Sequence, residues 1–274
     1  DLSSFVTKKV RSMNSMFRFT SILEFLDISK FDTSSVEDMG NMFTGCHKLG
    51  TLDLKHFDTT RVKDMQSMFE DCNSLETLDL SNFKTENVIE MKKMFRFCQR
   101  LTKLDISNFN TINVRTMDSM FHDCESITSL NLNHFHTSKV SNFEYMFERC
   151  ISLVSLDIST FDTSNAISLF AMFLGCSSLT SINLHSFVVT NAKNMESMFE
   201  GCESLSKLDL SNFETTNAVY MASMFKGCAK LSSLDISKFI TDNVMGMREM
   251  FYGCKRLISL SLSHFSTVSV TNME

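Results

Sequence analysis

The sequence predicts an α/β solenoid: a right-handed stack of 26-residue coils, each a short strand followed by a short helix, with the strands forming a parallel sheet on the concave side. Three observations predict it. Leu26, Leu52, Leu78, Leu104, Leu130, Leu156, Ile182, Leu208, Leu234 and Leu260 recur at steps of 26 without insertion or deletion. Leu or Ile alternates with Asp or Asn just after each of these positions except the last, where Ser261 stands, the period of a strand with one buried face. A later M-x-x-M-F-x-x-C segment gathers its apolar residues on one side of a helical projection.

The period beginning at Leu52 shows each element in order. Leu52 and Leu54 alternate with Asp53 and Lys55, giving the strand. Phe57 lies in the turn that follows and is expected to point inward. Val62, Met65, Met68, Phe69 and Cys72 fall within an arc of about 120° at helical spacing. Leu75 begins the approach to the next strand. Asn87, Asn113, Asn165, Asn191, Asn217 and Asn243 precede the helical Val or Ala, the place of an N-cap. Gly45, Gly175, Gly201, Gly227 and Gly253 stand just before Cys, where a left-handed residue would end the helix. Phe97 and Arg149 at the same position are expected to be strained. One such unit cannot bury its own apolar face, but stacked copies can. Strands stack about 4.8 Å apart and helices about 8–10 Å, so the stack is expected to bend with its strands inside.

Nine full repeats run over 26–259, between partial repeats 1–25 and 260–274. The expectation is one solenoid over 1–274. Because both ends fall inside a repeat, it is expected to be a piece of a longer chain.

These residues carry a resemblance. Leu49-Gly-Thr-Leu52-Asp-Leu54 looks like the strand of leucine-rich repeats. The longer M-F-x-x-C-x-x-L-x-x-L-D-L-S-x-F-x-T resembles the BspA-like leucine-rich repeats of bacterial and protist surface proteins, in the 26-residue variety found in mycoplasma lipoproteins. The match covers essentially the whole chain. It implies a leucine-rich-repeat solenoid displayed at a cell surface or secreted, acting as a non-enzymatic adhesion module for a host protein, a cell-surface protein or a glycan. Relatives in large viruses and eukaryotic microbes leave an intracellular or virion-associated setting as the alternative. Two other functions stay open. One is a building block of a fibre, sheath or particle coat. The other is a repeat region attached to an enzyme elsewhere in a longer chain.

Composition narrows the partners. The net charge is −6 and no basic cluster stands out, so neither nucleic acid nor a membrane surface is expected as partner. No apolar run approaches a membrane span. Phe (26) and Met (20) are abundant, and the Met columns read as core. All nine cysteines, Cys46 to Cys254, share one column, which reads as a buried ladder of free thiols. His134 and His136 are the one close histidine pair, with no third metal ligand. No catalytic order of Ser, His and Asp can be singled out. Neither cofactor nor metal is expected.

Two surfaces are candidate sites. On the strand face, Asp53, Asp79, Asp105, Asn131, Asp157, Asn183, Asp209 and Asp235 form a polar column. Its residues either accept hydrogen bonds from neighbouring Ser, Thr or backbone groups, or offer a docking strip for a basic or hydroxyl-rich partner or Ca²⁺. A Thr column from Thr7 to Thr267, broken by Val189, reads as turn hydroxyls bonded to backbone. On the outer face, Ile167, Phe170, Ala171 and Leu174 stand where other repeats carry polar residues, and Tyr145 lies one repeat earlier. Tyr145, Ile167, Phe170 and Leu174 are the candidates there for a contact with another copy, a neighbouring domain or a partner.

Overall fold

A computed structural model describes Leu2 and residues 4–274. The chain winds into stacked coils of 26 residues, and equivalent residues of successive coils face one another. The L-D-L segments pair in parallel. Strand β1 (Thr77–Asp79) pairs with β2 (Lys103–Asp105), and β3 (Ser129–Asn131) pairs with β4 (Ser155–Asp157). Leu78 sits opposite Leu104, and Leu130 opposite Leu156, both one period apart. In the other coils the same segment keeps the alternation: Asp53 is exposed and Leu54 buried, Asp209 exposed and Leu210 buried. A second line of parallel bridges, including Asp38 to Asp64, Asp64 to Glu90 and Asn194 to Tyr220, runs along another side of the coil.

The expected helix is not there. No α-helix occurs among the described residues. The M-x-x-M-F-x-x-C segment is instead a run of hydrogen-bonded turns whose alternate N–H groups leave the coil. Met68 N donates to Met65 O, Glu70 N to Ser67 O and Cys72 N to Phe69 O, each spanning three residues. Between them, Met65, Ser67, Phe69 and Asp71 donate to the carbonyls of Glu90, Lys92, Met94 and Arg96 in the next coil, at 2.7–3.0 Å. Ser67 and Asp71 have φ of 52° and 63°. A positive φ at the third position of such a turn is what a type II turn requires. A helix would have spent the same N–H groups within the coil. The spacing of Met65, Met68, Phe69 and Cys72 suits both structures, because tandem three-residue turns also return side chains to one side.

The side chains show why the turns win. Phe43, Phe69, Phe95, Phe121, Phe147, Phe173, Phe199 and Phe225 stack ring on ring, with centroids 5.5–5.9 Å apart and planes within 13°. Helices cannot approach that closely, whereas turns joined by backbone hydrogen bonds can. The spacing mismatch that was to bend the stack therefore has no basis here. Each of these rings is almost wholly buried, which stabilises by about 2–3 kcal/mol, and offset stacking adds about 0.5–1.5 kcal/mol per pair. Phe57 and its column point inward as expected, as do the Val and Met columns.

Two positions per coil are left-handed. Gly45, Gly175, Gly201, Gly227 and Gly253 have φ of 72–75°. Phe97 and Arg149, at 60° and 56°, carry the expected strain there. The second position holds Asn41, Ser67, Lys93, Ser119, Tyr145 and Ala171 and never glycine. The Asn column does not cap helices. Its side-chain amides donate to carbonyls of the previous coil: Asn87 to Thr60 O, Asn165 to Ser138 O and Asn217 to Thr190 O, at 2.7–2.8 Å.

Two substitutions test this packing. Phe121→Ala removes a central ring and is expected to cost about 3–5 kcal/mol, read by urea unfolding. Lys93→Gly is expected to be neutral or to stabilise by up to about 1 kcal/mol, because glycine relieves the left-handed backbone. In a helix the same change would destabilise by about 1 kcal/mol, so the sign separates the two structures.

Candidate functional site

The strand face is built by turns as well as by strands. All eight candidate residues on it are exposed, and each accepts the backbone N–H two residues onward. Asp53 takes Lys55 N at 3.1 Å, Asp79 takes Ser81 N at 3.1 Å and Asp105 takes Ser107 N at 3.0 Å. Asn131, Asp157, Asn183, Asp209 and Asp235 accept from Asn133, Ser159, His185, Ser211 and Ser237 in the same way. This Asx turn explains why Asp and Asn share the column: a short side chain with an acceptor oxygen closes the corner. At Ser81, Ser107 and Ser159 the hydroxyl adds a second bond, at 2.6 Å to Asp79, 2.7 Å to Asp105 and 2.8 Å to Asp157. Those bonds hold the carboxyls of Asp79 and Asp157 below the usual carboxylate range, the serine hydroxyl being the larger cause. The neighbour-bonding reading of the column is the one the geometry carries.

The oxygens remain accessible from one side. A groove of about 820 Å³ crosses three coils and is lined by Asp79, Lys103, Asp105, Ser107, Asn131 and His134. A second, of about 530 Å³, is lined by Asp27, Asp53, Lys55, His56 and Asp79. Among the described residues no group of three or more His, Cys, Asp or Glu side chains is placed to hold a metal ion.

Under these surfaces the polar columns are satisfied from coil to coil. Thr59 Oγ1 donates to Lys84 O at 2.9 Å and accepts from Lys84 N at 2.7 Å, so one hydroxyl joins two coils. Thr85, Thr111, Thr137 and Thr163 donate likewise. The cysteines are free thiols, buried from Cys46 to Cys228 and half-buried at Cys254. Each donates to a phenylalanine carbonyl of the previous coil, as Cys72 does to Phe43 O at 3.2 Å. Burial pushes the thiols of Cys98, Cys176 and Cys228 up to about 12. They are inert donors at neutral pH.

On the outer face the structure brings Tyr145 and Phe170 together, edge to face with centroids 5.0 Å apart. Phe170, Tyr145 and Leu174 are half-buried, while Ile167 is 53% exposed. Ala171 is fully buried and is not part of this surface, although it shares its column and its left-handed backbone with Tyr145.

Beside the pair lies a cluster that the sequence pattern does not single out. His122 Nε2 lies 2.7 Å from Asp123 Oδ2, and His122 Nδ1 lies 3.0 Å from Glu148 Oε2. Arg149 Nε reaches Asp123 Oδ1 at 2.6 Å. Arg96 pairs with Glu70 at 3.0 Å and lies over the Phe97 ring. Phe97 meets the His122 ring edge to face at 5.1 Å, and Tyr145 lies 5.9 Å beyond. These residues sit in adjacent columns of adjacent coils. The signal was present as Arg96, His122 and Glu148 at steps of 26, but it becomes a cluster only once the coils are in register.

The family model described as "Mycoplasma protein of unknown function, DUF285" matches over residues 1–103, 72–182 and 167–274. No curated protein matches the chain. Among solved structures, a leucine-rich repeat protein from Bacteroides ovatus is 18% identical over 98% of this chain and 73% of its own, with a TM-score of 0.48. One from Eubacterium ventriosum is 19% identical with a TM-score of 0.48, over 73% of this chain, which spans half the length of that protein. A leucine rich cell surface protein from Faecalibacterium prausnitzii is 16% identical over 92% of this chain and 77% of its own, with a TM-score of 0.40.

Thiol accessibility checks the interior of this arrangement. In the folded chain a disulfide reagent at neutral pH is expected to modify half-buried Cys254 first and, among the buried thiols, only Cys46, which its hydrogen bond with Cys72 lowers to about 7; in denaturant all nine thiols react. Rapid folded-state labelling of Cys124 or Cys150 would contradict the buried ladder. On the strand face, Ser81→Ala is expected to raise the Asp79 titration midpoint toward the ordinary carboxylate range, followed by carboxyl NMR.

Proposed function

We propose that this chain, which belongs to the mycoplasma protein family DUF285, is a non-enzymatic recognition module binding a protein or glycan partner through its strand face. The observation that carries this reading is the in-register row of exposed carboxylates and amides lining the groove from Asp79 to Asn131. Asx turns hold these oxygens at fixed positions, so a partner meets preorganised acceptors and little ordering cost. Acceptors of negative charge suit lysine and arginine side chains of a protein, and the mixed amides and hydroxyls suit sugar hydroxyls. The setting proposed is the cell surface or the secreted space. No helix among the described residues is long and apolar enough to cross a membrane.

A second reading rests on a different observation. Tyr145 and Phe170 form an aromatic pair on the outer face, with Ile167 and Leu174 in place of charged residues. That favours a contact with another copy or a neighbouring domain, as an architectural role requires.

Paired variants separate the two. Asp79→Lys with Asp105→Lys is expected to leave the chain folded and to weaken binding to cells of its source at least tenfold, with a salt-dependent wild-type affinity. Phe170→Glu is expected to leave that binding intact and to abolish any self-association, read by sedentation-equilibrium mass in the ultracentrifuge. Cell binding unchanged by the double Lys variant would remove the strand-face reading.

A further inference from the structure

We propose that His122, Asp123, Glu148 and Arg149 form a proton-binding site between two coils, which fastens them while one proton lies between His122 and Glu148 and loosens the outer aromatic cover when that proton leaves. Asp123 accepts from Arg149 Nε at 2.6 Å and faces His122 Nε2 at 2.7 Å. That contact places the imidazole hydrogen on Nε2. The neutral ring then turns the lone pair of Nδ1 toward Glu148 Oε2, 3.0 Å away. Both atoms are buried, and neither has a hydrogen-bond partner. With Glu148 ionised, two lone pairs face each other out of reach of water. One proton on either atom turns that contact into an attraction. The site therefore needs a proton to be complete.

The surroundings explain why this proton is held near neutrality. From the coil before, Arg96 faces the pair, with its charge partly answered by Glu70. From its own coil come Asp123 and Glu125, and from the next Arg149, which bridges both carboxylates. Tyr145 lies over the cluster and itself faces Glu144, Glu148 and Glu196. One coil beyond Glu148, the same column holds Leu174, where a cation would have stabilised the carboxylate. Elsewhere in this column opposite charges alternate, as in Glu70 with Arg96 and Glu200 with Lys226. Burial pushes Glu148 up to about 7, and the Asp123 carboxylate adds to the rise against the pull of Arg149 and Arg96. Burial also lowers His122 from its ordinary value, against the pull of Asp123. In the proposed site the shared proton lies on the Glu148 carboxyl, 3.0 Å from Nδ1.

The sign follows. The folded-state midpoint of Glu148 lies above its ordinary 4.5, so its contribution is complete at low pH and is lost as pH rises through about 7. The depressed His122 acts in the opposite sense, its contribution being lost as pH falls through its own midpoint. Comparing wild type with Glu148→Gln isolates the Glu148 part, since glutamine can donate to Nδ1 at any pH. The difference in Tm, wild type minus variant, is expected to fall by several degrees between pH 4.5 and 7.5 and to be level above that. In the whole unmutated chain, the Glu148 carboxyl carbon is expected to titrate near 7, with the Tyr145 ring resonances moving at the same midpoint. A Glu148 midpoint in the ordinary carboxylate range, or a Tm difference independent of pH, would overturn the proposal. Neither measurement requires a binding partner.

Discussion

The structure depends on one constraint: in every coil, alternate N–H groups of the turn segment must find a carbonyl in the next coil. A turn of three residues satisfies the N–H groups between them, and nothing inside the coil can satisfy the rest. The chain can make these bonds only if the next coil arrives after the same number of residues with the same backbone. This is why the period of 26 has no insertion, and why left-handed backbone recurs at the same two positions even where the residue is Lys, Tyr, Phe or Arg. The strain at such residues, of order 1 kcal/mol each, is outweighed by the bonds it permits.

Close coil spacing then decides what each column can hold. At 5.5–5.9 Å the phenylalanine rings stack, threonine hydroxyls reach a neighbour's carbonyl and amide together, and asparagine amides reach one coil back. A side chain that suits one coil suits all, because each sees a copy of itself. Repetition of sequence thus follows from repetition of environment. It also makes charge a problem, since identical charged residues would face one another. In the column from Glu70 to Lys226 opposite charges meet at Glu70 with Arg96 and at Glu200 with Lys226, and the pattern lapses between them, at His122, Glu148 and Leu174.

Function on such a scaffold can lie in the regularity or in its exceptions. The strand face is regular, and its acceptors lie in rows set by Asx turns. The outer face is where the pattern breaks. Tyr145, Phe170 and Leu174 and the cluster of His122, Asp123, Glu148 and Arg149 meet within three coils. A half-buried carboxylate beside an aromatic pair couples protonation to the surface a partner would touch, because water must enter for the charge to be solvated.

By itself the sequence determined the period, the inward columns and the exposed polar row, because burial and alternation leave their mark in residue type. Leu78 and Leu80 inside with Asp79 outside, the Cys ladder and the inward Phe57 were legible for that reason. It also placed Tyr145, Ile167, Phe170 and Leu174 on the outer side, as departures from a regular pattern. Only the tertiary structure decided that Met65 to Cys72 is a run of turns and not a helix. The two conformations place apolar residues alike and differ in where the N–H groups go, which depends on a neighbouring coil and not on the segment. The same holds for Glu148: its chemistry comes from His122, one coil away, and from the missing cation at Leu174, and neither relation exists until the coils are stacked.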